Sequence, residues 1–374
     1  VRQLRLLTLT ICGLLCAAAL ARAHDMAFPG PPPGGYPPGA MMGGMYPGMQ
    51  PVFAGPDGPG PFDPEAVPGP SCPGGCDERC GPLWSVGVEG VLWRRSSPRG
   101  LTLVRNGAFL LGGTPLLNAD ALLFDYEAAP RITTTLHINP ELDCQFTYFT
   151  VEDWSTQAVV VSGGSISVSS PNILLDALNA VRFEYESELW SGELNLRWRM
   201  MPRVTLLAGV RVLELVDRFE QTDNFPAANT FLPSYTIAVR NQLFGVQAGG
   251  LFSVVRSGPI CVDAFVKGGY FNNEAEHNMQ GILTGISQLA AAGSEDTLLW
   301  EAGFNITYCF NRYLKAWVGY SALWLNGIAS APGQIPGNSL FTGAFPLGPV
   351  GAVGVDATES LRIEGANVGL ELSY

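Results

Sequence analysis

From residue 83 to the C-terminus the chain repeats one pattern: apolar and polar residues alternate at every second position, segment after segment. A period of two sends successive side chains to opposite faces of an extended strand. The alternation is read in 83–93, 131–138, 141–151, 187–199, 203–215, 236–255, 260–271, 298–310, 313–325 and 362–374. In 187–199, Trp190, Leu194, Leu196 and Trp198 oppose Glu193, Asn195, Arg197 and Arg199. In 203–215, Val204, Leu206, Ala208, Val210 and Val212 oppose Gly209 and Arg211. In 298–310, Trp300, Phe304, Ile306 and Tyr308 oppose Glu301, Gly303, Asn305 and Thr307. The segment 101–127 fits neither strand nor loop cleanly, so the expected number is about ten strands, within about eight to twelve. The fold class is all-β.

Soluble sandwiches alternate too, and two features favour a closed antiparallel transmembrane barrel over them. Short turn signals (Asn139-Pro140, Met201-Pro202, Ser257-Gly258-Pro259, Asn311-Arg312) alternate with long links at about 94–130, 152–182, 217–234, 272–297 and 326–361. Short turns at one end and long loops at the other are how outer-membrane barrels are built. Trp93, Trp154, Trp190, Tyr235, Tyr270, Trp300, Tyr313, Trp324 and Tyr374 fall near strand ends, as interfacial aromatic girdles do. Closure also pairs every backbone group without an edge, which lipid requires. Composition agrees. Charged residues are 14 %, against roughly 25 % in typical soluble proteins, while hydrophobic residues are 47 %. The net charge of −12 argues against nucleic acid, whose phosphates need clustered cations.

The N-terminal part reads differently. Arg2 and Arg5 precede an apolar run from Leu6 to Leu20, and Ala21-Arg22-Ala23 offers a small-residue cleavage site, so 1–23 reads as a signal peptide. A single anchoring helix fits less well, because the run is short. Residues 24–80 form a linker rich in Pro, Gly and Met, without hydrophobic period, expected to be disordered. It ends in Cys72, Cys76 and Cys80, which suit a local disulfide or a bond to another chain better than a zinc site. Cys144, Cys261 and Cys309 fall in strands and read as small core hydrophobes. Residues 81–374 are the barrel domain.

If the apolar faces meet lipid, the polar faces line the lumen. The residues expected there are Glu89, Asp143, Glu193, Asn195, Arg197, Arg199, Arg211, Asp263, Lys267 and Glu301, with Glu371 as a further acid. Both signs of charge in a narrow lumen suit a network of ion pairs and hydrogen bonds. A solute-selecting constriction is the sharper alternative. A barrel of about ten strands has a small interior, which favours the network. Catalysis has no starting constellation. His137 and His277 fall near opposite barrel ends, G-x-S-x-G is absent, and no phosphate-binding or complete dinucleotide fingerprint occurs. Glu274, Glu276 and His277 share one expected loop and read as a solvated cluster. No metal and no cofactor is implied, and the chain is not expected to be an enzyme.

Several linked stretches also resemble one family in order: CGPLWSVGVEGVLW (80–93), FTYFTVEDWS (146–155), SELWSGELNLRWR (187–199), LLAGVRVLEL (206–215), NQLFGVQAGG (241–250), VKGGYFNNEAEH (266–277), WEAGFNITYCFNRYLKAWVGYSALWLNGIASAPGQ (300–334) and GANVGLELSY (365–374). They resemble the beta-barrel porin-7 family of planctomycete-type bacteria. The resemblance implies an exported outer-membrane barrel without an established substrate. A last strand with Val368, Leu370 and Leu372 at alternate positions and a terminal Tyr374 resembles the signal read by the barrel assembly machinery. The expected partners are therefore outer-membrane lipid and that machinery; the oligomeric state is not fixed by the sequence. The expected function is porin-like or structural, and the alternative is a surface interaction protein with long loops on a barrel anchor.

Overall fold

The computed structural model describes residues 83–107, 113–168, 178–225, 230–281, 289–335 and 354–374. The expected signal peptide, the Pro/Gly/Met-rich linker and Cys72, Cys76 and Cys80 lie outside these residues. Twelve strands run in the order β1 (Trp84–Arg95), β2 (Thr102–Asn106), β3 (Pro115–Asn118), β4 (Glu127–Asn139), β5 (Leu142–Val168), β6 (Leu178–Met201), β7 (Val204–Phe225), β8 (Thr230–Ser257), β9 (Ile260–Gly281), β10 (Leu289–Cys309), β11 (Leu314–Ile328) and β12 (Glu359–Ser373). Two 3-10 turns, Ala119–Ala121 and Pro332–Gln334, complete the described elements.

Ten of the strands close a ring. β1 pairs with β4, each later strand pairs with the next from β4 to β12, and β12 returns to β1, all antiparallel. The sequence dictates the tight turns at one end. Asn139 Oδ1 accepts hydrogen bonds from the amides of Glu141 and Leu142, both at 2.9 Å. Asn311 Oδ1 accepts from Tyr313 at 2.8 Å and Leu314 at 2.9 Å. These side chains supply the turn acceptors that Asn is suited to give. Gly258 takes the left-handed conformation (φ 57°) that the Ser257-Gly258-Pro259 turn requires.

The strands are longer than the alternation in the sequence suggested. β5 to β10 run for 21 to 28 residues, so most of the expected loops 152–182, 217–234 and 272–297 are strand. The ambiguous stretch before residue 127 contains β2 and β3. β2 pairs with the far end of β5, Val104 opposite Val168.

The reason lies in the phase of the pattern. In β7 the outward residues near the turns are Val204, Leu206, Ala208, Val210 and Val212, and those further on are Val216, Arg218, Glu220 and Thr222. The inward residues run Thr205, Leu207, Gly209 and Arg211, then Leu213, Leu215 and Phe219, with Asp217, Gln221 and Asp223 as buried polar residues among them. Outside changes from apolar to polar, and inside from polar to apolar, at the same height. β6 does likewise: outward Trp190 to Trp198 gives way to Arg182, Glu184, Glu186 and Glu188, while inward Glu193 and Asn195 give way to Leu189, Tyr185 and Phe183. The strand continues, but its apolar face becomes the opposite one.

All ten ring strands feed one buried apolar cluster beyond this switch. It includes Trp93, Ala129, Phe149, Leu189, Leu213, Leu243, Phe271, Leu299, Leu323 and Ile363. The connections fold into it as well, through Leu103, Leu122 and Phe124 on one side and Ala329, Ala331 and Ile335 on the other. Trp154 and Tyr235 also belong to it, so Trp93, Trp154 and Tyr235 are not girdle residues: they face inward and are buried. Above the ring the wall is incomplete. Pairing of β4 with β5 ends at Arg131–Phe149 and that of β10 with β11 at Leu298–Asn326, whereas β5–β6 pairing runs on to Ile166–Leu178. β5 to β10 therefore continue as an open sheet, which β2 and β3 extend at the β5 edge to eight strands among the described residues.

Candidate functional site: the polar interior at the turn end

Below the apolar cluster, the ring encloses a cavity of about 500 Å³ near the tight turns, bordered by Pro140, Glu141 and Met200–Arg203. Glu89, Asp143, Glu193, Asn195, Arg197, Arg199, Arg211, Asp263, Lys267 and Glu301 occupy inward positions on β1, β5, β6, β7, β9 and β10. They sort into separate groups.

The central group joins five strands, β6 to β10. Arg211 Nη1 lies 2.7 Å from Glu301 Oε2, and its Nε donates to Ser191 at 2.8 Å. Lys267 Nζ lies 3.0 Å from Glu193 and 3.6 Å from Glu301. Gln247 donates to Glu193 at 2.5 Å and to Asn195 at 2.7 Å, and Asn195 donates to Glu193 at 3.1 Å. Two acids share two bases and two neutral donors, Gln247 and Asn195, which offsets the cost of burying them. Glu89 stands beside this group with Arg131 at 3.4 Å, whose guanidinium lies 4.6 Å from the Trp93 ring centre.

The second group sits at the rim. Asp143 accepts from Arg199 at 2.8 and 3.0 Å and contacts His137 Nδ1 at 2.8 Å; Arg199 also donates to the Pro140 carbonyl at 2.8 Å. Asp263 belongs to neither group. It accepts from Ser253 at 2.6 Å, and that hydroxyl accepts from Arg256 at 2.9 Å. Glu371 pairs with Lys315 at 2.9 Å. Arg197 joins no group: it reaches no hydrogen-bond or ion-pair partner among the described residues, and its Nε is buried without one.

Other polar interior residues were not legible in advance. Arg131 and Gln247 stand on the polar faces of their segments, as does Ser191, but only pairing across strands shows that they join the charged groups. A further cluster lies inside the apolar region: Arg95 donates to Asp217 at 2.7 Å, to Tyr185 at 3.0 Å and to Ser187, and Tyr185 donates to Asp217 at 2.5 Å. All four are buried. Burial pushes the Tyr185 phenol well above its ordinary range, against the pull of Arg95. Burial opposes the Arg95 charge, but Asp217 and Tyr185 more than reverse this and hold the guanidinium above its ordinary range. Arg95 and Asp217 fell in stretches read as loops, where no periodicity was sought.

His137 and His277 sit at opposite ends, and Glu274, Glu276 and His277 are not a loop cluster. All three lie on β9, with His277 buried inward and the two acids on the other face. Among the described residues no group of three or more His, Cys, Asp or Glu could hold a metal ion. Cys309, expected as a core hydrophobe, is disulfide-bonded.

No family model and no curated protein matches the chain. Solved structures with a similar course include the outer membrane protease OmpT from Escherichia coli (9 % identity, covering 78 % of this chain and 96 % of that one, TM-score 0.48). The translocator domain of the autotransporter NalP from Neisseria meningitidis gives 8 % identity, 78 % and 88 % coverage and a TM-score of 0.37. The toluene transporter TodX of P. putida gives 10 %, 79 % and 89 %, and 0.30. Likeness at this level assigns no activity.

Proposed function

We propose that the chain is an integral outer-membrane barrel whose lumen is occluded, and that it anchors a rigid β-sheet outside the bilayer rather than serving as an open diffusion pore. One observation carries the reading: the switch in polarity between the two faces. Near the turns the outer face is apolar and exposed around the ring. Phe244 is 62 % exposed while its inward neighbour Leu243 is 1 % exposed, and Trp300 at 51 % stands beside Leu299 at 0 %. Water penalises such a surface; hydrocarbon does not. Val204 to Val212 covers about 27 Å of strand at roughly 3.4 Å per residue. At a tilt of about 40° that becomes roughly 20 Å, near the height of a barrel's apolar band. Above it Glu214 is held by Arg240 at 2.8 Å and Gln242 at 3.1 Å on the outer face, where the polar exterior begins.

Occlusion follows from the same strands. Inward side chains from all ten close over the polar layer, and a packed layer leaves no water column. The tight-turn end would face the periplasm, as short turns do in such barrels. No catalytic step belongs to this reading. The test is twofold. The refolded protein should migrate faster on gels unheated than boiled, and it should insert into planar bilayers without a steady conductance. Stable single-channel steps would overturn the occluded reading. Extraction from envelopes by carbonate, without detergent, would overturn the membrane reading.

A further inference from the structure

The cavity at the turn end is a built polar chamber, and among the described residues the Arg197 guanidinium inside it has no partner. The acids deeper than the mouth are already engaged. Glu193 and Glu301 hold Lys267 and Arg211, Glu89 holds Arg131, Glu371 holds Lys315, and Asp263 accepts from Ser253. Arg197 lines the same cavity and has none of them. Its in-register neighbour on β5 is Asp143, which is saturated by Arg199 and His137. Its neighbour on β7 is Leu207, which offers nothing polar. Arg203, in the β6–β7 turn, and Arg256, near the end of β8, border the cavity and add positive charge at the mouth, with Glu141 as the opposing acid there.

We propose that this chamber binds a small oxyanion, a carboxylate or phosphate on a compact organic body, with the Arg197 guanidinium as its principal anchor. A planar guanidinium matches either group through two parallel hydrogen bonds. The volume lies within the roughly 300–1,000 Å³ of small-molecule sites. Trp317 and Phe265 line the same space and give an organic body an apolar surface. Glu89, Glu193, Glu301 and Glu371 are no obstacle, because each is paired with a base within the wall. This inference concerns the interior alone and holds whether or not the outer face meets lipid.

The experiment is calorimetric titration of the refolded full chain in detergent, at low ionic strength and neutral pH. Inorganic phosphate and succinate serve as separate probes. A faster-migrating unheated band qualifies each preparation. Saturable one-site binding of at least one probe is expected, weakened at least tenfold by Arg197→Gln and less by Arg197→Lys. Binding of phosphate alone would point to a phosphorylated ligand, and of succinate alone to a carboxylate; either supports the site. Absence of saturable binding to the folded wild type, or equal binding by wild type and Arg197→Gln, overturns it. Should Arg197→Gln fail to fold, Arg197→Lys carries the comparison, and its unchanged affinity for both probes would count against the proposal.

Discussion

Trp317 shows how one side chain can look wrong in a sequence and be right in the fold. It falls on the polar face of its strand, where an indole spoils the alternation. In the barrel it lies against Gly369 of β12 and Gly87 of β1, two inward positions without side chains. A Cβ at Gly87 would meet Trp317 at 3.1 Å, and one at Gly369 would overlap the ring. The glycines are therefore the indole's seat. Gly369→Ala should lower stability by about 1–3 kcal/mol, the usual cost of overfilling a packed site, and Trp317→Leu in the same chain should recover much of it. Urea unfolding midpoints of the two variants measure this. Asp217 makes the converse case. Asp217→Ala leaves Arg95 buried without its carboxylate, and the expected loss is about 3–5 kcal/mol. Pairing the change with Arg95→Met should restore most of it, since an apolar pair of similar volume needs no partner. If the double variant is as unstable as the single, the ion pair is not what the site requires.

At the scale of the strand, the sequence shows the ten crossings and hides their length. β1, β4, β11 and β12 lie close to the segments read from alternation, because their apolar residues keep to one face for most of their course. The segments read in β5, β6, β7, β9 and β10 stop near where the apolar residues change parity, at Leu189 in β6 and Leu213 in β7, whereas 236–255 runs through that point in β8. Alternation scored for one environment cannot follow a strand into another. The charged interior was legible for the same reason, since Glu193, Arg211, Lys267 and Glu301 stand opposite lipid-type faces. How they pair was not, because partners such as Lys267 and Glu193 come from strands far apart in the chain. The projecting strands also carry the pH dependence. Burial lowers the pKa of His277 below its ordinary 6.5. The neutral form is thus the one that β9 accommodates. Its contribution to stability is complete above pH 6.5 and is lost as the pH falls through the lowered folded value. Asp223, raised above its ordinary 3.8 by burial against hydrogen bonds from Ser234 and Gln221, runs the other way. Its contribution is present below that value and is lost as the pH rises through the folded one. Protection factors of the amides in β8 and β9, with the intrinsic exchange rate divided out, should therefore fall between pH 7 and pH 5. His277→Leu should flatten that response and Asp223→Asn should leave it. An unchanged profile in His277→Leu would assign the response elsewhere.

For the whole molecule, the apolar outer band and the apolar inner cluster sit at different heights, so the protein has two hydrophobic zones joined end to end by the same strands. Denaturants should separate them. Guanidinium at moderate concentration is expected to expose Trp154, deep in the upper cluster, before the lower ring loses its altered gel mobility. Coincident loss of both signals would show a single cooperative unit. A detergent micelle would grip only the turn end and leave the projecting sheet standing in water. Crystals grown from such particles should accordingly be knit through protein-to-protein contacts along β5 to β10, with the micelles confined to the spaces between layers.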